Sequence, residues 1–231
     1  MFKLFKDIFN NTVRKDKIIK AIIFDMDGVL VDSEELIFLA AHQMFLENGI
    51  KVTREDFVPY IGTGEDSYLG NVAKKYNFEI DLKKHKARTY EIYGDLAKEK
   101  LIILPGVFEF IEKCKRYNLK LAIATSADKI KVDINLKTIG LSKNMFDVII
   151  YGEKVINKKP HPEIYEKVIN ELKLLPENCI VIEDAVNGIK SAKKAGAKCI
   201  ALTTSFPEES LKEADWIYNS LLDIPDEILK M

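Results

Sequence analysis

Six short, β-rich apolar runs constrain most strongly what this chain can fold into. They are KAIIF (20–24), LKLAIAT (119–125), FDVII (146–150), CIVI (179–182), KCIAL (198–202) and DWIY (215–218). From the second run onward each gap is one helix long, and apolar residues have helical spacing over 106–117, 128–139, 162–172 and 185–195. This alternation is typical of βαβ units with right-handed crossovers. It predicts an α/β fold, a three-layer sandwich around a parallel, Rossmann-like sheet.

The segment from 34 to 103 is far longer than one crossover requires and has almost no strand pattern. Helical spacing occurs within it over 34–49, 65–76 and 81–100. We therefore predict an all-helical domain at 34–103, inserted after the first strand, with hinges near 31–33 and 101–105. The core domain then comprises 18–33 and 104–231.

The first 17 residues have an apolar pattern of their own. Phe2, Phe5, Ile8 and Phe9 recur at helical spacing with lysines between them, which predicts an N-terminal helical extension. The acidic Asp7 favours a helix that packs on its own protein, while an interfacial or targeting role stays open.

Charge and cysteine content limit the partners and the compartment. Lys plus Arg (35) nearly equals Asp plus Glu (36), so we expect no nucleic-acid partner. Three cysteines without a CxxC pair fit a reducing compartment such as the cytoplasm, with organelle targeting through the N-terminal helix left open.

No apolar run approaches the roughly 18 residues of a membrane span. We expect a monomer or a weak dimer.

Polar side chains follow four of the predicted strands, where each strand ends. They are Asp25 and Asp27, Thr125 and Ser126, Lys158 and Lys159, and Glu183 and Asp184. Ligands of open parallel sheets bind beyond the carboxyl ends of the strands, so we expect these groups to share one site. Each has an ordinary alternative: acids at a helix N-terminus, a helix N-cap, or solvated surface lysines. Their joint placement favours the site.

These residue types match phosphoryl transfer. A carboxylate attacks phosphorus and forms an aspartyl-phosphate, and Mg²⁺ neutralises carboxylate and phosphate oxygens together. A hydroxyl and a lysine hold the transferring oxygens. A second aspartate protonates the leaving alcohol and later deprotonates the attacking water.

The motif set DMDGVLVDS, ATS, KKP and IED, with a helical insert after the first, resembles the haloacid dehalogenase (HAD) superfamily. The resemblance is to the β-phosphoglucomutase-like phosphatases with a helical (C1) cap. It implies that Asp25 is the nucleophile, Asp27 the general acid/base and Thr125 the motif-two hydroxyl. Lys159 would be the motif-three cation, with Lys158 the less favoured candidate. An acid at position 27 implies phosphate-ester chemistry, because dehalogenases and phosphonate-cleaving relatives lack it.

The resemblance also implies a Mg²⁺ cofactor. Asp25, Asp27 through its backbone carbonyl, and Asp184 would bind the ion directly, and Glu183 would bind it directly or through water. Gly28 suits the close turn that lets Asp27 fold back.

Three further residues are expected to contact phosphate or substrate. Ser126 follows the motif-two hydroxyl, and Gly62 and Glu65 belong to GTGED (62–66), a candidate lid element of the cap. A plain turn between helices is the alternative for this loop. FVPYIGTGEDSYLG and TSADKIKVDINLKTIGLS are also similar to the HAD portion of plant chloroplast suppressor-of-quenching proteins.

Departures from the mutase pattern favour hydrolysis. Ile37 stands where mutases have a hinge histidine, Ala127, Asp128 and Lys129 stand at the phosphate clamp, and Glu65 stands near the position of a cap arginine. We therefore predict a Mg²⁺-dependent phosphatase of a small phosphorylated metabolite such as a sugar phosphate. A sugar-phosphate mutase and a non-catalytic regulatory module are the alternatives, although no motif acid or lysine is missing.

Overall fold

A six-stranded parallel sheet forms the centre of the fold. The computed structural model describes residues 19–231, so the predicted extension over 1–17 lies outside the described residues. The sheet strands are β1 (Ala21–Phe24), β4 (Lys120–Ala124), β5 (Val148–Ile150), β6 (Cys179–Glu183), β7 (Lys198–Leu202) and β8 (Trp216–Tyr218), and β2 (Val31–Asp32) and β3 (Ile102–Ile103) lie outside it. The sheet order is β5-β4-β1-β6-β7-β8, with every pairing parallel. The predicted strands and the α/β fold class are confirmed.

The helices are α1 (Glu34–Glu47), α2 (Glu65–Lys75), α3 (Leu82–Lys100), α4 (Val107–Arg116), α5 (Lys129–Thr138), α6 (Glu163–Leu172), α7 (Val186–Lys194) and α8 (Asp226–Leu229). All seven predicted helical segments within the described residues contain a helix. One helix-length gap between predicted strands contains no α-helix: the connection from β7 to β8 holds only a short 3₁₀ turn (Glu208–Ser210).

Alternating side chains of the strands divide the core into two layers. In β1, Ile22 and Phe24 join the cluster that packs on α4 and α5, while Ala21 and Ile23 join the cluster that packs on α6 and α7. Successive strand residues point to opposite faces, so a strand buried on both sides reads as a continuous apolar run. The three-layer arrangement follows directly from that run.

A third apolar core lies within the helical insert. The helices α1, α2 and α3 bury Phe45, Leu69 and Tyr93 against one another. The last two residues of the predicted all-helical range 34–103 form β3, which pairs antiparallel with β2. This short ribbon arises because the chain leaves the sheet and returns to it side by side, at the two positions predicted as hinges.

No helix among residues 19–231 has the length and apolarity needed to cross a lipid bilayer. The three cysteines, Cys114, Cys179 and Cys199, are unpaired and buried in the two sheet-facing clusters.

Candidate active site

The carboxyl ends of β1, β4 and β6 bring the predicted site residues to one edge of the sheet. Phe24 pairs in register with Ile123 of β4 and Ile182 of β6, so Asp25 comes level with the last residues of both neighbours. A cavity of about 510 Å³ opens between this edge and the helical insert. The predicted site residues that line it are Asp25, Asp27, Gly28, Gly62, Glu65, Thr125, Ser126, Lys159, Glu183 and Asp184.

Of the two candidate lysines, only Lys159 lines this cavity. Its Nζ atom lies 2.6 Å from Asp25 Oδ1 and 2.5 Å from Glu183 Oε1. Burial would lower the pKa of Lys159, but the charges of Asp25 and Glu183 raise it above its ordinary value. The lysine is therefore a fixed cation. Lys158 donates instead to the backbone carbonyl of Gly152, 2.5 Å away.

Three buried carboxylates form a group suited to a divalent cation. Asp25, Glu183 and Asp184 each offer an oxygen, and these oxygens lie within 4.8 Å of one another. Burial raises the pKa of Asp25 to about 7 against the opposing charge of Lys159. Burial, and then the charges of Glu183 and Asp25, raise the pKa of Asp184 well above its usual range. A hard cation with oxygen ligands would relieve this repulsion, so the residues present fit Mg²⁺.

Glu183 differs from the other two because its oxygens already have partners. Its Oε1 accepts from Lys159 and from the Tyr165 hydroxyl, 2.6 Å away. Its Oε2 accepts from the backbone N–H groups of Asp184 and Ala185, at 3.1 and 3.3 Å. These contacts hold the Glu183 side chain in one orientation against Lys159.

Gly28 allows the turn after β1 to approach Asp184 closely. Its φ is +76°, and a Cβ built there would lie 1.9 Å from Asp184 Oδ2. Ser205 donates a hydrogen bond to the same oxygen. Only glycine fits this position without displacing the carboxylate.

Asp27 is half-buried and has two partners. Ser33 donates to Asp27 Oδ1, and Lys131 Nζ lies 3.1 Å from that oxygen. Lys131 belongs to α5, is 4% exposed, and also lies 3.6 Å from Glu65 Oε1. Burial would lower the pKa of Lys131, but the charges of Asp27 and Glu65 raise it. This lysine therefore joins the sheet edge to the helical insert.

The turn after β4 and the loop GTGED lie against each other. The Thr125 hydroxyl accepts a hydrogen bond from the Ala127 N–H at 3.1 Å, and Thr125 and Ser126 are buried. Gly64, with φ +87°, approaches the Ser126 carbonyl so closely that a Cβ would lie 3.2 Å from it. The loop therefore covers the phosphate-binding candidates of the sheet edge.

Sequence reasoning missed Lys131, Tyr165, Ser33 and Ser205. Lys131 lies beside Val132 on the buried face of α5, and Tyr165 lies beside Ile164 on the buried face of α6. A polar residue next to a core-facing position was the available signal for both. A chain with so many lysines makes that signal weak. Ser33 is the last residue of the motif DMDGVLVDS, which was the available signal for it, and no quoted motif contains Ser205.

The chain belongs to the haloacid dehalogenase-like hydrolase family. The family's sequence profile matches residues 22–202, which include every motif at the sheet edge. The predicted superfamily and its type of enzyme are thereby confirmed.

The chain is similar in sequence to two curated relatives over most of its length. The chain is 45% identical over 199 residues to Protein SUPPRESSOR OF QUENCHING 1, chloroplastic, of Arabidopsis thaliana. That match spans 85% of this chain and 19% of the plant protein, so the chain corresponds to about a fifth of that relative. It is 36% identical over 185 residues to the Phosphorylated carbohydrates phosphatase of Thermotoga maritima, which covers 78% of this chain and 83% of that protein.

A solved structure has the same architecture. A mutant of CbbY from Rhodobacter sphaeroides, crystallised with xylulose-(1,5)bisphosphate, superposes with a TM-score of 0.80 at 28% identity. The superposition covers 89% of this chain and 96% of that one. It therefore includes both the sheet and the helical insert, and we refer to the insert as the cap.

Proposed function

We propose that this protein is a Mg²⁺-dependent phosphomonoester hydrolase that acts on a small phosphorylated metabolite such as a sugar phosphate. One observation carries the proposal: the buried Asp25 carboxylate faces the Lys159 ammonium at 2.6 Å, beside Asp184 and inside a covered cavity. The relative named Phosphorylated carbohydrates phosphatase supports the substrate class.

Asp25, Asp184 and the backbone carbonyl of Asp27 would hold the metal ion. Glu183 would not contact the ion directly and would bind it at most through a water molecule, because its two carboxylate oxygens already accept four hydrogen bonds. When bound, Mg²⁺ neutralises the negative charge of the carboxylates and of the substrate phosphate.

The reaction then proceeds in two displacements on phosphorus. A carboxylate oxygen of Asp25 forms a bond to phosphorus while the bond to the alcohol oxygen breaks, and Asp27 gives that oxygen a proton. Asp27 next takes a proton from water, whose oxygen displaces the Asp25 carboxylate and releases inorganic phosphate. Lys159 and Thr125 hold the phosphate oxygens during both steps.

The mutase alternative is disfavoured by the surroundings of Asp128. This residue stands where mutases have a phosphate clamp, and its Oδ2 atom lies 2.7 Å from Lys86 of the cap. A carboxylate at this position offers a second phosphate no hydrogen-bond donor, and Lys86 is already shared by Asp128 and Asp66. A non-catalytic module is disfavoured because every charged group of the site is present and in contact with another.

The test is hydrolysis of p-nitrophenyl phosphate with Mg²⁺. We expect Asp25→Asn to lose at least about 1,000-fold in kcat, because no nucleophile remains, and removal of divalent ions with EDTA to abolish turnover until Mg²⁺ is restored. Asp95→Asn, which changes an exposed aspartate of α3, is the matched control. Activity retained by Asp25→Asn, or turnover unaffected by EDTA, would show the mechanism to be wrong.

We further infer a reducing compartment such as the cytoplasm. Cys114, Cys179 and Cys199, which are unpaired and buried, support this inference.

A further inference from the structure

The cap side of the cavity combines an apolar wall with acidic groups. Ile37, Val58 and Ile61 provide apolar surface, and Glu34 and Glu65 provide carboxylates. This is the part of the cavity that faces the leaving group, because the phosphate must lie at the sheet edge beside Asp25.

The cations that line the cavity, among the described residues, are Lys131 and Lys159. Lys159 is held between Asp25 and Glu183, and Lys131 is held between Asp27 and Glu65. Each ammonium therefore has two carboxylates beside it. These carboxylates offset its positive charge, so it does not attract a second anion.

Two cations near the rim are also committed to acids, and a third, Lys158 beside Gly64, donates to the backbone carbonyl of Gly152. Arg54 pairs with Glu35, and Lys86 lies 2.6 Å from Asp66 and 2.7 Å from Asp128. A second phosphate or a carboxylate on the leaving group would thus meet the Glu34 and Glu65 carboxylates on the cavity wall, where each lysine among the described lining residues already has acidic partners.

Buried polar atoms on the cap side have no partner among the described residues. They are Glu65 Oε2 and the hydroxyl of Tyr68, in side chains that are 6% and 5% exposed and that line the cavity. The hydroxyl of Tyr90 is also buried, lies outside the cavity lining and interacts with Glu65 and Asp128. Buried polar groups in native proteins nearly always have partners, so the atoms of Glu65 and Tyr68 that line the cavity point to a ligand that supplies them.

The chemistry of these atoms selects the ligand. Glu65 accepts hydrogen bonds, and Tyr68 both donates and accepts them. Burial raises the pKa of Glu34 and of Glu65, which indicates that additional negative charge is energetically unfavourable here. Alcohol hydroxyl groups satisfy both side chains without adding charge.

We propose that the cap side of this cavity binds an uncharged, hydroxylated leaving group through Glu65 and Tyr68, and excludes substrates that carry a second anionic group. The inference rests on the proposed phosphatase function and narrows its substrate class to monophosphates of polyols and sugars. It separates this chain from CbbY of Rhodobacter sphaeroides, which was crystallised with a bisphosphate.

The experiment compares matched pairs of substrates on the full chain with Mg²⁺. Each pair is a pentose or hexose monophosphate and the corresponding bisphosphate, and p-nitrophenyl phosphate is the common reference. We expect kcat/KM for the best monophosphate to exceed that of its bisphosphate by about 100-fold, because like charges brought together cost several kcal/mol. We expect Glu65→Gln to reduce this ratio about tenfold, since one carboxylate charge is removed.

Tyr68→Phe gives a second reading that does not depend on charge. It should raise KM for the sugar monophosphate about fivefold more than KM for p-nitrophenyl phosphate, since the aryl group offers no hydroxyl. Glu79→Gln, which neutralises an exposed acid of the cap, is the control for charge alone.

The outcomes separate the two proposals. Absence of Mg²⁺-dependent turnover of p-nitrophenyl phosphate overturns the phosphatase function and this inference with it. Turnover of the aryl ester together with equal use of mono- and bisphosphates, or with no use of any sugar phosphate, overturns this inference alone. A mono/bisphosphate ratio that Glu65→Gln leaves unchanged also overturns it.

Discussion

Lys131 places its ammonium 3.1 Å from Asp27 Oδ1 and is buried, so it fixes where the proposed proton donor points. Replacing it by methionine keeps the length of the side chain and removes the charge. We expect Lys131→Met to lose at least about tenfold more kcat/KM for an alkyl phosphate than for p-nitrophenyl phosphate, because only the poor alkyl leaving group needs the proton. Steady-state kinetics on both esters measures this ratio.

The control for this prediction is Lys129→Met on the same helix. Lys129 is exposed and pairs with Asp133 on the surface at 2.7 Å, so neither substrate should be affected. An equal loss on both esters in Lys131→Met would assign the lysine a purely structural role, since a buried charge left without its partner destabilises the fold.

Gly28 offers a prediction about the metal. In Gly28→Ala the new Cβ would meet Asp184 Oδ2 at 1.9 Å, in a backbone with φ +76°. We expect the Mg²⁺ concentration for half-maximal activity to rise at least about tenfold, because displaced ligand shells typically lose that much metal affinity.

Gly49→Ala is the matched control for backbone strain. Gly49 has φ +77°, and nothing lies within 4 Å of the position of its Cβ. It should lose about 1 kcal/mol of stability and keep its Mg²⁺ dependence. A Gly28→Ala variant with the same Mg²⁺ dependence as Gly49→Ala would contradict the proposed metal site.

Single residues of the site were predictable when they stood in a motif at a strand end. Asp25, Thr125 and Glu183 follow apolar runs, and parallel strands bring such positions together. Lys131 and Tyr165 were not predictable, because their contacts depend on how α5 and α6 rotate against the sheet. Helical periodicity places a residue on a face but does not measure its distance to a strand end.

At the scale of elements, one buried carboxylate, that of Asp56, links two parts of the cap. Asp56 accepts hydrogen bonds from Lys75, from the Thr53 N–H at 2.7 Å and from the Tyr76 hydroxyl at 2.6 Å. It thereby ties the 3₁₀ turn Arg54–Asp56 to the end of α2. We expect Asp56→Asn to lower the free energy of unfolding by about 1–2 kcal/mol at pH 7, as measured by urea denaturation.

This loss should depend on pH. Burial would raise the pKa of Asp56, but its three hydrogen bonds lower it to about 2, from an ordinary value of 3.8. Because the folded pKa is the lower one, the stabilisation is complete above about pH 4 and is lost as the pH falls toward 2. The difference between wild type and Asp56→Asn should therefore shrink between pH 5 and pH 3. A difference that grows over this range would contradict the assignment. The exposed Asp95→Asn should show a smaller trend, since a hydrogen bond from Lys98 lowers the pKa of Asp95 but solvent screens that pair.

Elements were predictable where their own sequence decided their type. The runs KAIIF and CIVI became β1 and β6 because both of their faces are buried. The ribbon of β2 and β3 was not predictable, because it has two residues in each strand and exists only through the pairing of distant segments. The connection from β7 to β8 kept a helical length without forming a helix, since length alone does not supply an apolar face.

At the scale of the whole molecule, polar contacts hold the cap against the core. The Tyr93 hydroxyl of α3 donates to Asn135 Oδ1 of α5 at 2.5 Å, and Lys86 of α3 lies 2.7 Å from Asp128. The two residues of β2 and the two of β3 provide the covalent connections on the other side. Ile134 of α5 adds an apolar contact with the cap core. A cap that is held by polar pairs, one such apolar contact and two short strands is suited to open and close around substrate.

Lys86 is the contact whose loss should shift that equilibrium. Its charge is shared by Asp66 of the cap and Asp128 of the core, so Lys86→Met removes an attraction across the interface and leaves both apolar cores intact. We expect KM for a sugar phosphate to rise about threefold to tenfold, because the closed state that binds substrate becomes less populated. The pair is partly exposed, so added salt should raise KM in the wild type and have little effect on the variant.

Lys83→Met, on the same helix at an exposed position, should behave as wild type. Equal salt dependence in Lys86→Met and wild type would mean that the ion pair does not control closure. The contacts of Tyr93 with Asn135 and of Lys131 with Glu65 would then hold the cap.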